Sequence, residues 1–369
     1  MERKSEEQTE NNEFHQTEAT ALFDAEAYTA MTTLLGAAQH SIRVTFYLFG
    51  GSDAGRMAEI LAAKLAQGLA VRVLLDRSIG LGPTLPSVLW ECQTTYRKLK
   101  RLGLDVRLSR PGAVSHHKYI VVDDVEALIG GMNVGTLFWR YHDLMLHVSG
   151  PVAADLSRRF DAEWAGETSA QTVRESVAPF VDRSLDADGP TWARVIGTAF
   201  GERTTLATLN QNLRRARRTV DIALCEMGRT ALLGELIACQ KRGVAVRVLL
   251  DPQITAPLGP SGLLNAGAVQ TLLDDGIAVR LYTLGRDFVR LHLKMAVFDG
   301  QRAVAGSTNW TRGGFEWVGE TDLELHGGSV IGELAAQFEA DWSRSTPAKP
   351  PTRTAHFLHD LYEKSARWI

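Results

Sequence analysis

The sequence predicts an α/β protein made of two tandem copies of one fold, and three observations carry that prediction. The phrase VRVLLD occurs at residues 71–76 and again at 246–251, an offset of 175. Each copy follows a helical pattern that ends in Gly68 or Gly243, and each leads into another helical pattern and a second strand, LGLDVRLS or DGIAVRLY. Each half then closes on a related phrase, RRFDAEW ending at Trp164 or AQFEADW ending at Trp342. A chain of 369 residues, 45% hydrophobic and 22% charged, has globular values and the length of two domains.

Taken in order, residues 1–19 are polar, mostly acidic and without an apolar stretch, which predicts a disordered tail with no secretory signal. Lobe 1 is expected over 20–170. Its strands IRVTFYLF (42–49) and VRVLL alternate with helical patterns, as βαβ units around a mostly parallel sheet do. Near-continuous apolar runs such as VRVLL and YIVV suit a sheet covered on both faces. Residues 171–190 lose periodicity and collect Ser, Asp, Gly and Pro, the composition of a linker. Lobe 2 is expected over 191–345, with VDIALCEM (220–227) in the place of IRVTFYLF. Two copies joined in this way pack about a pseudo-twofold axis with equivalent loops meeting. Over 346–369 a Pro-rich linker precedes a short helix, FLHDLYEKSARWI. That helix either packs back on the body or places Phe357, Leu358, Leu361 and Trp368 in a membrane interface.

Composition excludes several classes. A net charge of −3 argues against a protein that coats nucleic acid, although a local basic groove can still bind phosphate. Cys92, Cys225 and Cys239 lack the spacing of a zinc site or a disulfide framework and read as small buried hydrophobes. No stretch reaches the roughly 18 to 20 apolar residues of a spanning helix, so the expected location is the cytoplasm or the surface of a membrane.

The chemistry is concentrated in two matching phrases. HHKYIVVDDVEALIGGMNVG places His116, Lys118, Asp123, Gly130, Gly131 and Asn133 in the spacing H-x-K-x4-D-x6-G-G-x-N. HLKMAVFDGQRAVAGSTNW repeats it with His292, Lys294, Asp299, Gly306, Ser307 and Asn309, at an offset of 176. A lone His-x-Lys would mean little, but this many residue types at fixed spacing in both halves is not coincidence. On a strand, positions i and i+2 share a face, so each His projects beside its Lys. His117 then falls on the opposite face.

Two lysines, two asparagines and the backbone amides beside Gly130, Gly131, Gly306 and Ser307 would cradle one tetrahedral anion. Two imidazoles can act across it, one attacking phosphorus and the other protonating the departing oxygen and later deprotonating water or an alcohol. They must begin in opposite protonation states, so each needs an orienting partner. Asp143 and Glu320, at corresponding places in RYHDLMLHV and VGETDLELH, are the candidates. Nothing in this set calls for a metal ion or another cofactor.

At these residues the sequence resembles the phospholipase D superfamily, over about residues 20 to 345. The resemblance implies two α/β/α sandwich lobes sharing one active site, a phosphohistidine intermediate and no metal. A single chain then suffices for the site. It further implies His116 as nucleophile and His292 as acid and base, with Lys118, Lys294, Asn133, Asn309 and Ser307 holding the phosphate. Asp123 and Asp299 complete the catalytic motifs, as supports rather than direct participants.

Within that superfamily the first half is similar to bacterial cardiolipin synthases, which implies hydrolysis or transfer of phosphatidyl groups with a phospholipid as partner. GSTNWTRGGFEW instead resembles the nuclease members, and the clusters YRKLKR (96–101) and RRARR (214–218) could track a nucleic-acid backbone, so a metal-independent nuclease is the alternative. Phe138, Trp139, Trp310, Phe315 and Trp317 are either core residues or the lining of an acyl path.

Overall fold

The computed structural model describes residues 13–77, 85–166, 189–199, 202–252, 260–285 and 287–352, together with positions 177 and 185. Lobe 1 runs β1 (His15–Phe23), α1 (Asp24–Ala37), β2 (Ser41–Phe46), α2 (Gly51–Ala66), β3 (Ala70–Leu75), α3 (Pro86–Arg101), β4 (Asp105–Leu108), β5 (Lys118–Val122), β6 (Glu126–Gly130), β7 (Tyr141–His142), β8 (Leu144–Ser149) and α4 (Pro151–Ala165). Lobe 2 repeats the plan with β9 (Thr191–Ala199), β10 (Glu202–Arg203), α5 (Thr204–Arg215), β11 (Thr219–Leu224), α6 (Ala231–Lys241), β12 (Ala245–Leu250), α7 (Pro260–Asp274) and β13 (Ala278–Leu281). It continues through β14 (Arg290–Leu291), β15 (Lys294–Phe298), β16 (Arg302–Gly306), α8 (Arg312–Glu316), β17 (Glu320–His326), α9 (Ser329–Arg344) and β18 (Thr346–Pro347).

Local chemistry sets several of these boundaries. Pro86 and Pro151 open α3 and α4, where a missing N–H costs nothing, and Gly166 closes α4 in the left-handed region at φ 75°. All five residues of β5 and of β15 are buried, as expected of strands covered on both faces.

The strands join in the order β18-β13-β12-β11-β15-β16-β17-β9-β1-β8-β6-β5-β2-β3-β4. Reading outward from β1 or β9 gives the same sequence of elements, so the lobes meet edge to edge about a pseudo-twofold axis. The joint is short, pairing His15, Gln16 and Thr17 with Ala193, Trp192 and Thr191. The core has three parts. One lies under α1 to α3 in lobe 1 and one under α5 to α7 in lobe 2. The third is shared and brings Phe160 and Trp164 of α4 together with Leu334 and Phe338 of α9.

Two expectations change here. The sheet is not mostly parallel: only β2-β3-β4 and β11-β12-β13 run parallel, and the motif strands pair antiparallel. The cause is the short connection after Val122, turning through Asp123 and Asp124 at φ 54° and 62°, because so few residues can only reverse a strand and not cross over it. Lobe 1 also begins earlier than residue 20, since His15 to Ala19 belong to β1. A half-polar, alternating strand at a lobe edge carries little apolar signal. The expected linker lies almost wholly outside the described residues, as does the C-terminal helix, whereas Thr346 and Pro347 add an edge strand to β13.

Candidate active site

The motif histidines sit just before β5 and β15, at the end of the sheet where β2, β3, β11 and β12 finish. Ligands of α/β sheets gather at these carboxyl ends. Equivalent contacts fix each histidine's backbone. The His116 N–H donates to Gly319 O at 2.7 Å and the His292 N–H to His142 O at 2.8 Å, so each strand entry is anchored on the other lobe. The residue before each histidine donates to the last residue of a VRVLLD phrase: Ser115 N to Asp76 at 2.6 Å, and Leu291 N to Asp251 at 2.8 Å. The repeat phrase therefore ends in carboxylates that aim the motif, a role its sequence alone did not disclose.

The side chains cross between lobes as well. His116 Nδ1 lies 2.9 and 3.0 Å from the two carboxylate oxygens of Glu320, and His292 Nδ1 lies 2.6 Å from Asp143 Oδ2. Each candidate orienting residue thus bonds the histidine of the other half. With a carboxylate at Nδ1, that nitrogen carries the proton and Nε2 offers its lone pair. Lys118 and Lys294 each donate to the carbonyl of the histidine two residues earlier, at 2.7 and 2.6 Å. An ammonium has three donors, so this bond fixes each amine and leaves it able to grip an anion.

Burial dominates the electrostatics. It pushes His116 and His292 well below the usual imidazole range, and the neighbouring lysines push in the same direction. It raises Asp143 to about 6 and Glu320 well above the usual carboxylate range, against the pull of the lysines. Lys118 is lowered to about 7, chiefly by burial, with Lys294 adding to the effect and Glu320 opposing it.

Two groups expected to face the phosphate make other contacts. The Ser307 hydroxyl, expected to hold the phosphate, donates to Glu320 Oε2 at 2.5 Å and accepts from Thr321 N at 3.0 Å, completely buried. The amides of Gly131 and Ser307 are not open to an anion either, since they bond Leu144 O at 2.9 Å and Thr321 O at 3.1 Å. The small residue leaves room for a neighbouring carboxylate and not for a ligand. A β-carbon at Gly131 would stand 2.4 Å from Asp143 Oδ1.

The motif aspartates, expected as supports rather than direct participants, lie away from the histidines. Each sits just past the far end of its strand, roughly 16 Å from the lysine at the near end. Asp123 accepts from the N–H groups of Gln39, His40 and Ser41 at 2.7 to 2.8 Å. Asp299 accepts from Arg217, Arg218 and Thr219 at 2.7 to 3.1 Å. Both carboxylates hold the start of the neighbouring strand. Asp123→Ala is expected to cost about 1–3 kcal/mol in urea unfolding, the range for donors left unpaired, while lowering turnover far less than loss of His116.

Asn133 and Asn309 reach the same end of the sheet but differ in their bonds. Asn133 is buried, its side-chain oxygen accepting from Leu48 N at 3.3 Å and its carbonyl from the Tyr28 hydroxyl at 2.6 Å. Asn309 Nδ2 donates to Glu226 at 3.2 Å. His117, on the opposite face of its strand, lies 2.7 Å from the Thr321 hydroxyl and 3.4 Å from Glu163.

Among the aromatic candidates, Phe138, Trp310 and Phe315 are core. Trp139 stacks on Tyr28 at the surface of lobe 1, and Trp317 lies under Arg312. The residues found beside the histidines are instead Tyr47, 4.7 Å from His116, and Tyr141, 5.5 Å from His292. Neither basic cluster lines the site. YRKLKR closes α3 and RRARR leads into β11, both at the far end of the sheet. The three cysteines are buried and unpaired. Among the described residues no helix is long and apolar enough to cross a membrane.

Asp143 has a buried support. His142 Nδ1 lies 3.0 Å from Asp24, and its Nε2 lies 2.9 Å from Asp341. Asp24, held at φ 53°, also accepts from Asp143 N at 3.0 Å. Burial lowers the His142 pKa, but the two aspartates outweigh it and raise it to about 10. Because the folded value exceeds the ordinary one of about 6.5, this stabilisation is full below about pH 6.5 and fades as pH rises towards 10. Urea unfolding at pH 6.5 and 10 should show wild type losing more stability than His142→Gln; equal losses would mean that the imidazole is not held as a cation.

A family model described as "Cardiolipin synthase, PLD-like domain" matches residues 31–164 and 209–342, one match per lobe. The chain is 23% identical to "Probable cardiolipin synthase YwiE" of Bacillus subtilis, over 85% of this chain and 63% of that protein. It is 28% identical to "Cardiolipin synthase A" of Pseudomonas fluorescens, over 89% of this chain and 69% of that protein. It therefore spans about two thirds of the length of these relatives. Among solved structures, the phosphatidylserine synthase of Haemophilus influenzae superposes with a TM-score of 0.70 at 15% identity, covering 99% of this chain and 97% of that one. The polyphosphate kinase of Porphyromonas gingivalis superposes with a TM-score of 0.63 at 12% identity, covering 95% and 54%. These two likenesses concern the fold.

Proposed function

We propose, for a chain that belongs to the cardiolipin synthase, PLD-like domain family, that it transfers phosphatidyl groups of phospholipids through a phosphohistidine, to an alcohol or to water, without a metal. The observation that carries this reading is the crosswise pairing of His116 with Glu320 and of His292 with Asp143, above two buried lysines. The arrangement gives two imidazoles with Nε2 available and a cationic seat for the phosphate between them.

His116 Nε2 attacks phosphorus while the bond to the headgroup oxygen breaks, and that oxygen takes a proton from His292 Nε2. An incoming alcohol or water then gives its proton to His292 as its oxygen attacks phosphorus and the P–N bond breaks. His292 must be protonated at the outset, yet the protein pushes both imidazoles towards the neutral form. The negative charge of the phosphodiester reverses that push on arrival, and the lysines stabilise the charge on its non-bridging oxygens.

The test incubates the protein with mixed phospholipids in detergent, with EDTA and an added alcohol. Phosphatidic acid or a new phosphatidyl ester is expected, and both should vanish with His116→Ala. Equal product from wild type and the variant would sink the proposal. Lys118 adds a pH dependence. It is a cation below about 7 and loses its charge above, so kcat/KM should fall as pH rises through 7; a flat profile from pH 6 to 9 would remove Lys118 from phosphate binding.

A further inference from the structure

Two histidines related by a pseudo-twofold axis are interchangeable unless something behind them differs, yet the reaction needs one protonated and one neutral. Glu320 corresponds to Asp143 and His116 to His292, so Gly319 corresponds to His142, Thr321 to Leu144 and His117 to Leu293. The backbone bonds from His116 N to Gly319 O and from His292 N to His142 O bear out this correspondence. Glu163, one residue before Trp164, likewise corresponds to Asp341, one before Trp342.

Each half buries one imidazole against its helix carboxylate, but the imidazole comes from a different strand. Beside Asp341 the ring belongs to His142, and the positions equivalent to His117 and Thr321 are the buried Leu293 and Leu144. Beside Glu163 the ring belongs to His117. The position equivalent to His142 is there Gly319, where a β-carbon would stand 2.9 Å from His117 Nε2.

The two rings have different neighbours. Both nitrogens of His142 face carboxylates, Asp24 of α1 at 3.0 Å and Asp341 of α9 at 2.9 Å, and an ionised carboxylate only accepts. Each nitrogen therefore carries a proton, and the ring is a cation. The rings of Phe23, Tyr282 and Phe288 enclose it, and Gln337 Nε2 donates to the same Asp341 oxygen at 3.1 Å. His117 Nδ1 instead meets the Thr321 hydroxyl at 2.7 Å, which can donate to it, and its Nε2 faces Glu163 at 3.4 Å. A neutral ring satisfies both.

We propose that His142 is a positioning residue that makes His292 the acid of the pair, and that the lack of an equivalent cation in the other half leaves His116 the nucleophile. This assignment rests on the transferase reading above. Asp24 accepts from both His142 and Asp143 N, so Asp24, Asp143 and Asp341 gather around one ring, and without a cation among them one carboxylate would hold a proton. With the imidazolium in place Asp143 keeps its charge, and a charged carboxylate at Nδ1 favours the imidazolium form of His292. His292 then gives its Nε2 proton to the departing oxygen as the P–O bond breaks and the P–N bond to His116 forms. Burial raises Asp143 only to about 6 but Glu320 well above the usual carboxylate range, in keeping with this difference.

The experiment gives the full chain two esters of one phosphatidic acid in detergent, phosphatidylglycerol and phosphatidyl-p-nitrophenol. Glycerol departs only with a proton, whereas p-nitrophenol departs without one. In a single turnover His142→Gln should slow glycerol release by roughly tenfold, part of the roughly 10²- to 10⁴-fold that a general acid contributes, and p-nitrophenol release by less than about twofold. His142→Lys, which keeps a cation, should recover much of the loss with glycerol, and His117→Gln should leave the ratio of the two rates unchanged. Equal slowing of both esters by His142→Gln would make that residue structural only, and a fallen ratio in His117→Gln would reverse the roles; either result overturns the assignment. Release of p-nitrophenol alone by wild type would mean that no acid works in the site, which overturns it as well. Release from neither ester overturns the transferase reading and the assignment with it. Nitrogen NMR of the histidine-labelled wild type at pH 8, above the ordinary imidazole range, should show an imidazole protonated on both nitrogens. The absence of such a ring overturns the assignment whether or not the variants fold.

Discussion

His116→Ala is expected to lower turnover by on the order of 10³-fold or more, and His292→Ala by a similar factor, because each histidine supplies a step that the other cannot. The double variant should be little worse than the more damaged single one, since groups acting as a unit are strongly non-additive. The cross-lobe pairs extend the same logic. Asp143→Ala lies in lobe 1 but should behave as a lesion of His292, 2.6 Å away in lobe 2, and should add little to His292→Ala. Measured rates of the three single and two double variants decide the matter. If effects of His116→Ala and His292→Ala multiplied, the two histidines would be acting in separate sites.

The largest expected effect on stability comes from a position without a catalytic role. Arg194 on β9 is wholly buried and forms an ion pair of 2.6 Å with Glu324 on β17. Glu324 also accepts from Asn212 at 2.7 Å and lies 2.8 Å from His326 Nε2. Asn212 in turn accepts from Arg302, which donates to the motif residue Asp299 at 3.1 Å. Arg194→Ala leaves a buried carboxylate short of its main counter-charge, at a cost of about 3–5 kcal/mol. Replacing both partners with apolar residues of similar size, Arg194→Met with Glu324→Leu, should recover much of that loss. Urea midpoints compare the two, and a loss below about 1 kcal/mol in the single variant would show that the pair is not a lock.

How far the sequence could be read followed from the range of each signal. His116, Lys118 and Asn133, and their partners 176 residues later, were legible because strand geometry brings residues at fixed spacing to one end of a sheet. Asp143 and Glu320 were legible as candidates from their matching places. Their exchange between lobes was not, because it joins residues 149 and 204 positions apart through packing that no local pattern records. Ser307 looked like a phosphate ligand by position, and only the approach of β17 shows that its hydroxyl belongs to Glu320. The antiparallel half of each sheet was missed for a related reason. A fully buried strand is an apolar run whatever its direction, and direction is set by the length of the connection. Asp123 shows the limit of a motif as evidence of function. Its place beside His and Lys in the sequence reflects a strand of five residues, with chemistry at one end and a backbone clamp at the other.

The exchange of carboxylates also bears on the life of the chain during its synthesis. A ribosome that has released only the first lobe presents His116 without Glu320, and Asp143 without the histidine it serves. Such a half-made product holds one histidine of the pair and neither cross-lobe bond. Both bonds can form only once β15 and β17 of the second lobe have been made and folded against the first, so the two histidines acquire their partners together and late.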